Sequence, residues 1–255
     1  MTYDNTAYKD NKNNTDKLDL WRQQKRGKFS ASMSFKLMSK GKSGEMFGDG
    51  AWTYIKTTAL EMVTKVWDNE SSKGDQIEPM LHGKVHEYPA FVHYVQETKN
   101  FKTRYFGDET PLFIPYPKAP EEFGCSPDGG YFTEDGISTG VEIKCPYDSM
   151  YHFQRLKWKD QWDILKEYPA CYAQIQTSLM CTGADVWDFV SYDERQIMKK
   201  YRIKIIPVLP DINYQNNMEV RIKQAIKEKY RILSEYLDME IKDRADFQAK
   251  IQYFL

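Results

Sequence analysis

Residues 141–145, with the sequence VEIKC, place a carboxylate and a lysine two positions apart. The apolar residues alternate with Glu142 and Lys144, so on a strand the two charged side chains share one face. A carboxylate can hold a divalent cation while a neighbouring amine orients or deprotonates water, which is the chemistry of a metal-dependent hydrolase. The same Glu-x-Lys spacing recurs at Glu97 and Glu240, in amphipathic helical patterns that indicate solvent-exposed side chains. Only the copy at Glu142 lies in a strand-like apolar frame.

A second carboxylate, Asp128, lies upstream in the turn-like sequence Ser126-Pro127-Asp128-Gly129. A hairpin through this turn would place Asp128 beside Glu142 on the adjacent strand. Two carboxylates on neighbouring strands suit a hard cation such as Mg²⁺, which prefers oxygen ligands and retains water. The alternative is that Asp128 only caps a turn and Glu142 pairs with Lys144 at the surface. The residue types leave both interpretations open.

The elements that must position these groups follow from hydrophobic periodicity. In the first half of the chain, the patterns predict helices over residues 51–67 and about 85–95, an irregular extended segment over 101–124 and a strand pair around 125–145. In the second half they predict a helix ending at Gly183 and strands near 184–193 and 201–210. The last predicted element is a helical segment over about 218–255 that is broken near 243. No repeat or linker interrupts the chain. We therefore predict one α/β domain over residues 18–255, preceded by a polar and flexible tail at 1–17.

The composition limits the class of protein. The chain has 255 residues, of which 41% are hydrophobic and 15% aromatic, enough for a substantial core. It contains no long apolar run and its first residues are polar, so we expect a cytoplasmic protein without a membrane partner. The four cysteines form no CxxC pair, which argues against a structural zinc or iron–sulfur site.

Positive charge is concentrated in one segment, although 36 basic and 37 acidic residues nearly cancel over the whole chain. Residues 20–43 contain no acidic side chain, and their basic residues are Arg22, Lys25, Arg26, Lys28, Lys36, Lys40 and Lys42. Such a cluster is either a solvated face or a local surface for a polyanion such as DNA.

Several short motifs occur in a fixed order along the chain. They are RGKFSAS at residues 26–32, the spaced residues Gly83, Glu87, Ala90 and Tyr94, SPDG at 126–129, EIKCP at 142–146, YAQIQ at 172–176, and Gly183 followed by Trp187, Phe189, Tyr192 and Asp193. Together they resemble the phage lambda exonuclease family, also called YqaJ-like viral recombinases. The resemblance covers roughly residues 21–195.

This resemblance implies a PD-(D/E)XK restriction-endonuclease-like core, a twisted mixed sheet flanked by helices. It also implies a 5′→3′ exonuclease that digests one strand of duplex DNA from 5′-phosphorylated ends in phage or prophage recombination. The implied ligands of Mg²⁺, or of Mn²⁺ as a substitute, are Asp128, Glu142, the Ile143 backbone carbonyl and Glu87, and Lys144 would act on the attacking water. A single-strand annealing protein as partner and a homotrimer are implied by analogy alone.

The same resemblance implies a pocket for the 5′-phosphate of the DNA end. Its candidate residues are Arg26 or the adjacent Lys25, Ser32, Ser126 and Gln174. All of these side chains can donate hydrogen bonds to phosphate oxygens, through a guanidinium or ammonium group, two hydroxyls and an amide.

Two features depart from the family pattern. Pro89 follows Glu87 by two residues and predicts a helix that starts late, which would leave Glu87 poorly aimed. The interval between Asp128 and Glu142 contains a predicted loop at residues 133–140, which lengthens the hairpin.

Other interpretations remain. An endonuclease on the same fold and a DNA-end-binding module without turnover share most of these residues. A zinc hydrolase built on His82, His86 and His93 is less favoured, because a zincin helix has the order H-E-x-x-H. A stretch of aromatic and basic residues either lines a strand path on which unpaired bases stack or forms core with solvated lysines. It comprises Tyr151, His152, Phe153, Arg155, Lys157, Trp158, Lys159 and Trp162.

Overall fold

The computed structural model describes residues 12–64, 78–107 and 111–252. The helices in these ranges are α1 (Lys12–Lys25), α2 (Ser34–Leu37), α3 (Asp49–Val63), α4 (Glu78–Thr98), α5 (Ser149–Arg155), α6 (Gln161–Glu167), α7 (Pro169–Thr182), α8 (Ile212–Leu237) and α9 (Arg244–Ile251). The strands are β1 (Phe29–Ser30), β2 (Arg104–Tyr105), β3 (Ile114–Pro115), β4 (Phe123–Cys125), β5 (Gly129–Thr133), β6 (Gly136–Lys144), β7 (Val186–Tyr192) and β8 (Ile203–Val208).

A mixed five-stranded sheet with the order β2-β5-β6-β7-β8 forms the centre of the fold. Strand β6 pairs antiparallel with β5 and parallel with β7, and β7 pairs antiparallel with β8. A smaller sheet has the order β1-β4-β3. The prediction of an α/β fold with a mixed sheet flanked by helices is confirmed.

The two faces of strand β6 are covered by different helices. Helix α4 packs its buried Ala90, Phe91 and Tyr94 against the face that carries Val141 and Ile143. Helix α7 covers the opposite face, where Ile175 and Leu179 pack against Trp187 and Phe189 of β7. Since side chains alternate along a strand, Glu142 and Lys144 point toward α7.

Helix α7 is buried on nearly all sides because it lies between the two sheets. Its other side packs Ala173 and Cys181 against the core around Phe29 and Phe123 of the smaller sheet. The helix ends at Gly183, which has the left-handed φ of +68° that a residue without Cβ adopts readily. The predicted end of this helix is confirmed.

The hairpin that carries the candidate site is tighter than the sequence predicted. Strand β5 ends at Thr133 and β6 begins at Gly136, so only two residues form the turn and the predicted loop at 133–140 is wrong. Residues 136–140 are strand because Ile137 is buried and the run around it pairs with β5. Gly140 allows the close approach of Trp187, whose Cε3 would lie 2.2 Å from a Cβ at this position.

The prediction that Pro89 delays its helix is wrong, because α4 begins at Glu78 and runs through the proline. Pro89 removes one hydrogen bond to the carbonyl of Val85 and tends to bend the helix. The side chain of Val85 is exposed, so water can reach this turn of the helix. Glu87 therefore lies in the middle of an established helix.

Other boundaries differ slightly from the predictions. Helix α1 begins at Lys12, inside the segment predicted as a tail, and residues 1–11 lie outside the described residues. Helix α3 ends at Val63, and the last predicted residues of that helix, 65–67, also lie outside them. The C-terminal helical segment is interrupted between Leu237 and Arg244, close to the predicted break.

The long helix α8 attaches the C-terminal segment to the N-terminal half of the chain. The ammonium group of Lys229 is fully buried and donates to the Glu122 carboxylate and to the Gly27 carbonyl. Tyr230 donates to the same carboxylate. A buried charge is tolerated only when it is paired and hydrogen-bonded, so these contacts fix α8 against the segment around Gly27.

No helix in the described ranges is long and apolar enough to span a membrane.

Candidate active site

Glu142 and Lys144 lie side by side on the α7 face of β6, as predicted. The Lys144 Nζ is 2.5 Å from Glu142 Oε1 and donates a second hydrogen bond of 3.3 Å to Gln174 Oε1 on α7. Glu142 is only 1% exposed and the Lys144 side chain is 25% exposed, so this pair is largely buried and is not the surface pair of the alternative interpretation. The sheet and α7 together hold the lysine in one orientation.

Asp128 lies next to this pair because the hairpin brings residue 128 opposite the end of β6. Its backbone N–H donates to the Val141 carbonyl at 3.2 Å. Its carboxylate Oδ2 accepts a hydrogen bond of 2.7 Å from the Ile143 N–H. Because the N–H and C=O of one strand residue point toward the same neighbouring strand, the Ile143 carbonyl also faces Asp128.

The third carboxylate, Glu87, approaches Asp128 from α4. The Tyr105 hydroxyl on β2 donates a hydrogen bond of 2.9 Å to Glu87 Oε1. Burial, followed by the charges of Glu142 and Glu87, raises the pKa of Asp128 well above its usual range. Three carboxylates therefore share one electrostatic environment.

Lys144 is held in its charged form by the same environment. Burial by itself lowers its pKa, but the negative groups around it, led by Glu142, outweigh burial and place the pKa well above the usual value. The ammonium group thus offsets part of the negative charge of the site.

The donor set at this site fits a hard divalent cation. Glu142 Oε2 is buried and has no hydrogen-bond partner in the described part of the chain. A buried carboxylate oxygen without a partner is costly, and a cation would satisfy it. In these ranges no group of three His, Cys, Asp or Glu side chains is already arranged around one point, so the carboxylates need a backbone carbonyl or water as further ligands.

The loop that follows Lys144 is fixed by residues from the end of β7. The Arg195 guanidinium donates to the carbonyls of Pro146 and Tyr147, at 3.0 Å and 2.8 Å, and pairs with Asp193. Ser149 donates to the same aspartate at 2.6 Å. Asp193 was part of the predicted motif without a role, and the structure gives it the role of anchoring this loop.

Ser126 and Lys25, two of the predicted phosphate-binding residues, both contact the side chain of Trp21. The Trp21 Nε1 donates to Ser126 Oγ at 3.1 Å, and the Lys25 Nζ lies 3.9 Å from the centroid of the Trp21 ring. Burial lowers the pKa of Lys25 to about 8. Ser126 lies two residues before Asp128, so this group borders the candidate site.

Gln174 and Ser32 lie on elements that pack against each other. Gln174 contacts Lys144, as described above, and Ser32 lies in the short helical turn Ala31–Met33. The neighbouring Ser34 bonds to Thr177 of α7 at 3.1 Å, which fixes this turn on the helix that carries Gln174. Ser32 itself is exposed and shares a hydrogen bond of 3.2 Å with Ser30.

Arg26 takes a different direction from its neighbour Lys25. Its Nε donates to the Glu61 carbonyl at 2.8 Å, and its side chain lines a separate cavity of about 280 Å³ together with Arg244 and Phe247. Of the two basic candidates, Lys25 is the one placed beside Ser126.

The three histidines of the zinc alternative do not form a metal site within the described ranges. The His82 and His86 ring centroids are 4.1 Å apart with the rings tilted by 47°, and His86 Nδ1 lies 3.4 Å from a Glu194 carboxylate oxygen. His93 packs against the Tyr192 ring at 5.3 Å.

The aromatic and basic stretch is divided between core and surface. His152 is buried and bonds to Ser191 and to the Tyr201 carbonyl, and Trp158 is also buried. Tyr151, Phe153 and Trp162 are exposed. The core interpretation therefore applies to His152 and Trp158, and the stacking of unpaired bases stays a prediction for the exposed aromatic residues.

Sequence reasoning missed the roles of Trp21 and Arg195 and the burial of Arg155. Trp21 begins the basic segment and contacts Ser126, which is distant in the chain. Arg195 follows the YD pair of the last motif by two residues, and that proximity was the available signal. The burial of Arg155 has no signature in the local sequence.

A family model described as the YqaJ-like viral recombinase domain matches residues 20–185. The chain is similar to the alkaline exonuclease LHK-Exo from Laribacter hongkongensis, with a TM-score of 0.68, 24% identity, and coverage of 86% of this chain and 96% of that chain. LHK-Exo in complex with dAMP gives a TM-score of 0.65, 23% identity, and coverage of 86% and 95%.

A phage-related exonuclease from Haemophilus somnus 129PT has a TM-score of 0.60 at 14% identity, with 82% of this chain and 96% of that chain covered. A search of curated protein sequences found no match. These likenesses show the fold, a PD-(D/E)XK-like mixed sheet with flanking helices.

Proposed function

The chain belongs to the family of YqaJ-like viral recombinases, and on that premise we propose that it is a metal-dependent exonuclease that digests one strand of duplex DNA in phage-type recombination. The observation that carries the proposal is that Asp128, Glu142 and Lys144 meet at the end of β6. There Asp128 accepts a hydrogen bond from the Ile143 N–H, and Lys144 donates one to Glu142. The fold likeness to solved exonucleases supports the same conclusion.

The proposed ligands of Mg²⁺, or of Mn²⁺ as a substitute, are the carboxylates of Asp128 and Glu142 and the Ile143 carbonyl, with Glu87 nearby on α4. The unpartnered Glu142 Oε2 and the effect of the Glu142 and Glu87 charges on the pKa of Asp128 both favour a cation here. When bound, the cation would supply charge stabilisation at the phosphate and a more acidic water molecule.

The residues of the chain then have distinct tasks. Asp128 is held by the Ile143 N–H, so its carboxylate keeps a fixed direction relative to Glu142. Lys144 is fixed between Glu142 and Gln174, from where its ammonium group can orient the attacking water or take part in its deprotonation. Arg195 keeps the loop after Lys144 in place.

We assign recognition of a 5′-phosphorylated end to Lys25, Ser32, Ser126 and Gln174. Lys25 and Ser126 both contact Trp21, and Gln174 contacts Lys144. The proposed phosphate-binding donors therefore border the reacting groups. This arrangement supports digestion in the 5′→3′ direction, since the end phosphate would be held next to the scissile bond. The resemblance maps this pocket onto Arg26, with the adjacent Lys25 as the alternative, but the Arg26 guanidinium is bound to the Glu61 carbonyl.

The basic segment 20–43 gives these donors a wider surface for DNA. Lys40 and Lys42 are exposed, and affinity for DNA depends largely on neutralising phosphates. We further propose, by analogy with the family alone, that the protein acts as a homotrimer in the cytoplasm beside a single-strand annealing protein.

One assay tests the proposed activity. Linear, nicked and covalently closed circular duplex DNA are incubated with the protein, with Mg²⁺ or with EDTA. We expect complete digestion of one strand of linear DNA in Mg²⁺, no digestion of closed circles, and no digestion in EDTA. Labelling either the 5′ or the 3′ end of the linear substrate reports the direction.

Each other outcome contradicts a defined part of the proposal. Cleavage of closed circles would indicate an endonuclease, and binding of linear DNA without digestion would indicate an end-binding module. Digestion in EDTA would exclude the proposed role of Asp128 and Glu142 as cation ligands.

A further inference from the structure

A large cavity opens where strand β6 ends, directly after Lys144. Its volume is about 940 Å³, within the range of small-molecule sites, and Cys145 forms part of its wall. Its aromatic and basic wall consists of Tyr147, Tyr151, Arg155, Lys157, Trp158 and Tyr168. None of these residues belongs to the reacting groups or to the end-phosphate pocket described above.

Arg155 is the most unusual of these residues. It is only 8% exposed, and its one hydrogen bond within the described ranges is a long one of 3.5 Å to Ser191 Oγ. No carboxylate in those ranges forms an ion pair with it. Its guanidinium instead lies 4.9 Å from the Tyr168 ring centroid and 5.8 Å from that of Trp158. Rings of this kind offset only part of the cost of burying a charge, so an anion in the cavity would be strongly favoured.

The mouth of the cavity is aromatic and exposed. Tyr151 is 57% exposed and Tyr147 is 47% exposed, so part of each ring is open to solvent. Exposed aromatic side chains are the usual platform on which unpaired bases stack. A paired base inside a duplex cannot use them, because its faces are already covered by neighbouring base pairs.

The acidic residues of the wall do not occupy Arg155. Asp148 accepts a hydrogen bond of 2.8 Å from the Met150 N–H, and Asp163 accepts one of 2.6 Å from the Lys159 N–H. Glu167 pairs with Lys166 at 2.7 Å. These local partners satisfy the three carboxylates, and none of the three forms an ion pair with Arg155.

We propose that this cavity binds one unpaired nucleotide of the strand being digested, with its base on the exposed tyrosines and its phosphate at Arg155. The inference rests on the proposed function, since the cavity begins one residue beyond Lys144. It adds a nucleotide subsite next to the reacting groups. A nucleotide held in this subsite would be separated from its partner on the complementary strand.

Titration of the full chain with 2′-deoxyguanosine 5′-monophosphate in EDTA tests the subsite without turnover or bound cation. Tyr151→Ala removes the exposed stacking ring, and Phe153→Ala is the matched control, because Phe153 is 49% exposed on the same helix but does not line the cavity. We expect Tyr151→Ala to weaken binding by about tenfold, as loss of one stacked base does, and Phe153→Ala to leave it unchanged.

The role of Arg155 is tested with Arg155→Gln and two probes, the nucleotide and deoxyguanosine, which lacks the phosphate. We expect this variant to lose affinity for the nucleotide and to keep that for the nucleoside. If Arg155→Gln does not fold, the comparison of the wild type with Tyr151→Ala still decides, because the proposed end-phosphate pocket also favours the nucleotide over the nucleoside and the wild type alone does not separate the two sites.

Equal nucleotide affinity in wild type and Tyr151→Ala, or in wild type and a folded Arg155→Gln, would overturn the subsite. These results are independent of the proposed activity. Failure of the wild type to digest linear DNA would overturn the nuclease, whereas normal digestion combined with either result would remove the subsite alone.

Discussion

The Asp128 carboxylate accepts a 2.7 Å hydrogen bond from the backbone N–H of Ile143, the residue between Glu142 and Lys144. This bond ties the turn at the start of β5 to the end of β6, so the two acidic side chains keep a fixed spacing. The site is therefore organised by the register of one hairpin before any cation or DNA binds.

Replacing Asp128 with asparagine should abolish digestion while DNA binding persists. Asn keeps an oxygen for the Ile143 N–H but removes a cation ligand, and we expect the rate to fall at least about a thousandfold, or ~4 kcal/mol. In EDTA the variant should be more stable than the wild type by about 1 kcal/mol, because asparagine replaces a buried carboxyl group whose charged form is disfavoured by burial and by Glu142 and Glu87. Thermal unfolding and a strand-digestion assay measure both effects.

Asp135→Asn is the control for this substitution, since Asp135 lies in the exposed turn at the other end of the same hairpin. It should change neither activity nor stability. Digestion by Asp128→Asn at the wild-type rate would contradict the assignment.

Replacing Lys144 with alanine should destabilise the cation-free protein by roughly 3 kcal/mol, because Glu142 is left buried without its positive partner. Mg²⁺ should restore part of this loss by binding only the folded state. Digestion should be abolished. Denaturant unfolding with and without Mg²⁺ measures the effect, with Lys166→Ala as the exposed ion-pair control. An unchanged unfolding midpoint for Lys144→Ala would show that the pair is not structurally important.

The preference for phosphorylated ends should depend on Lys25 and much less on Arg26. Lys25→Gln removes the ammonium group beside Trp21 and Ser126, whereas Arg26 is bound to the Glu61 carbonyl. We expect Lys25→Gln to lower kcat/KM on 5′-phosphorylated ends about tenfold, as loss of one charge-assisted hydrogen bond does, with little change on 5′-hydroxyl ends. A larger loss of this preference in Arg26→Gln would reverse the assignment.

The end preference should also decline as the pH rises through about 8, the pKa to which burial lowers Lys25. Below this pH the side chain is charged and attracts phosphate, and above it the side chain is neutral. The ratio of kcat/KM on phosphorylated and hydroxyl ends reports this titration in the free protein. Lys25→Arg should keep its preference at pH 9, because a guanidinium stays charged there. A wild-type ratio that is constant from pH 7 to pH 9 would refute the prediction.

Replacing Gly140 with alanine should distort the strand that carries Glu142. The new Cβ would lie 2.2 Å from the Trp187 ring, so the strand or the ring must move. We expect a loss of about 1–3 kcal/mol in the free energy of unfolding and reduced activity in the same variant. Gly136→Ala tests a glycine with open space around it but a φ of +122°, and it should show strain without overpacking. A Gly140→Ala protein with unchanged stability would show that the contact can relax freely.

Much of the fold could be predicted because local patterns carry it. Alternating apolar residues predicted β6, β7 and β8, and Gly183 predicted the end of α7. The start of α4 could not be predicted from Pro89, because burial of Ala90, Phe91 and Tyr94 against the sheet stabilises a helix that local preference alone would interrupt. The loop predicted at 133–140 failed for a similar reason, since pairing with β5 extends β6 to Gly136.

By itself, the sequence determined which side chains could react, because Glu142 and Lys144 must share a face of any strand that contains them. Only the tertiary structure decided what surrounds them. The distances from Asp128 to Ile143 and from Lys144 to Gln174, the burial of Arg155 among aromatic rings, and the different directions of Lys25 and Arg26 all depend on contacts between distant segments. A local pattern fixes the direction of neighbouring side chains, whereas packing between elements fixes their partners and the polarity around them.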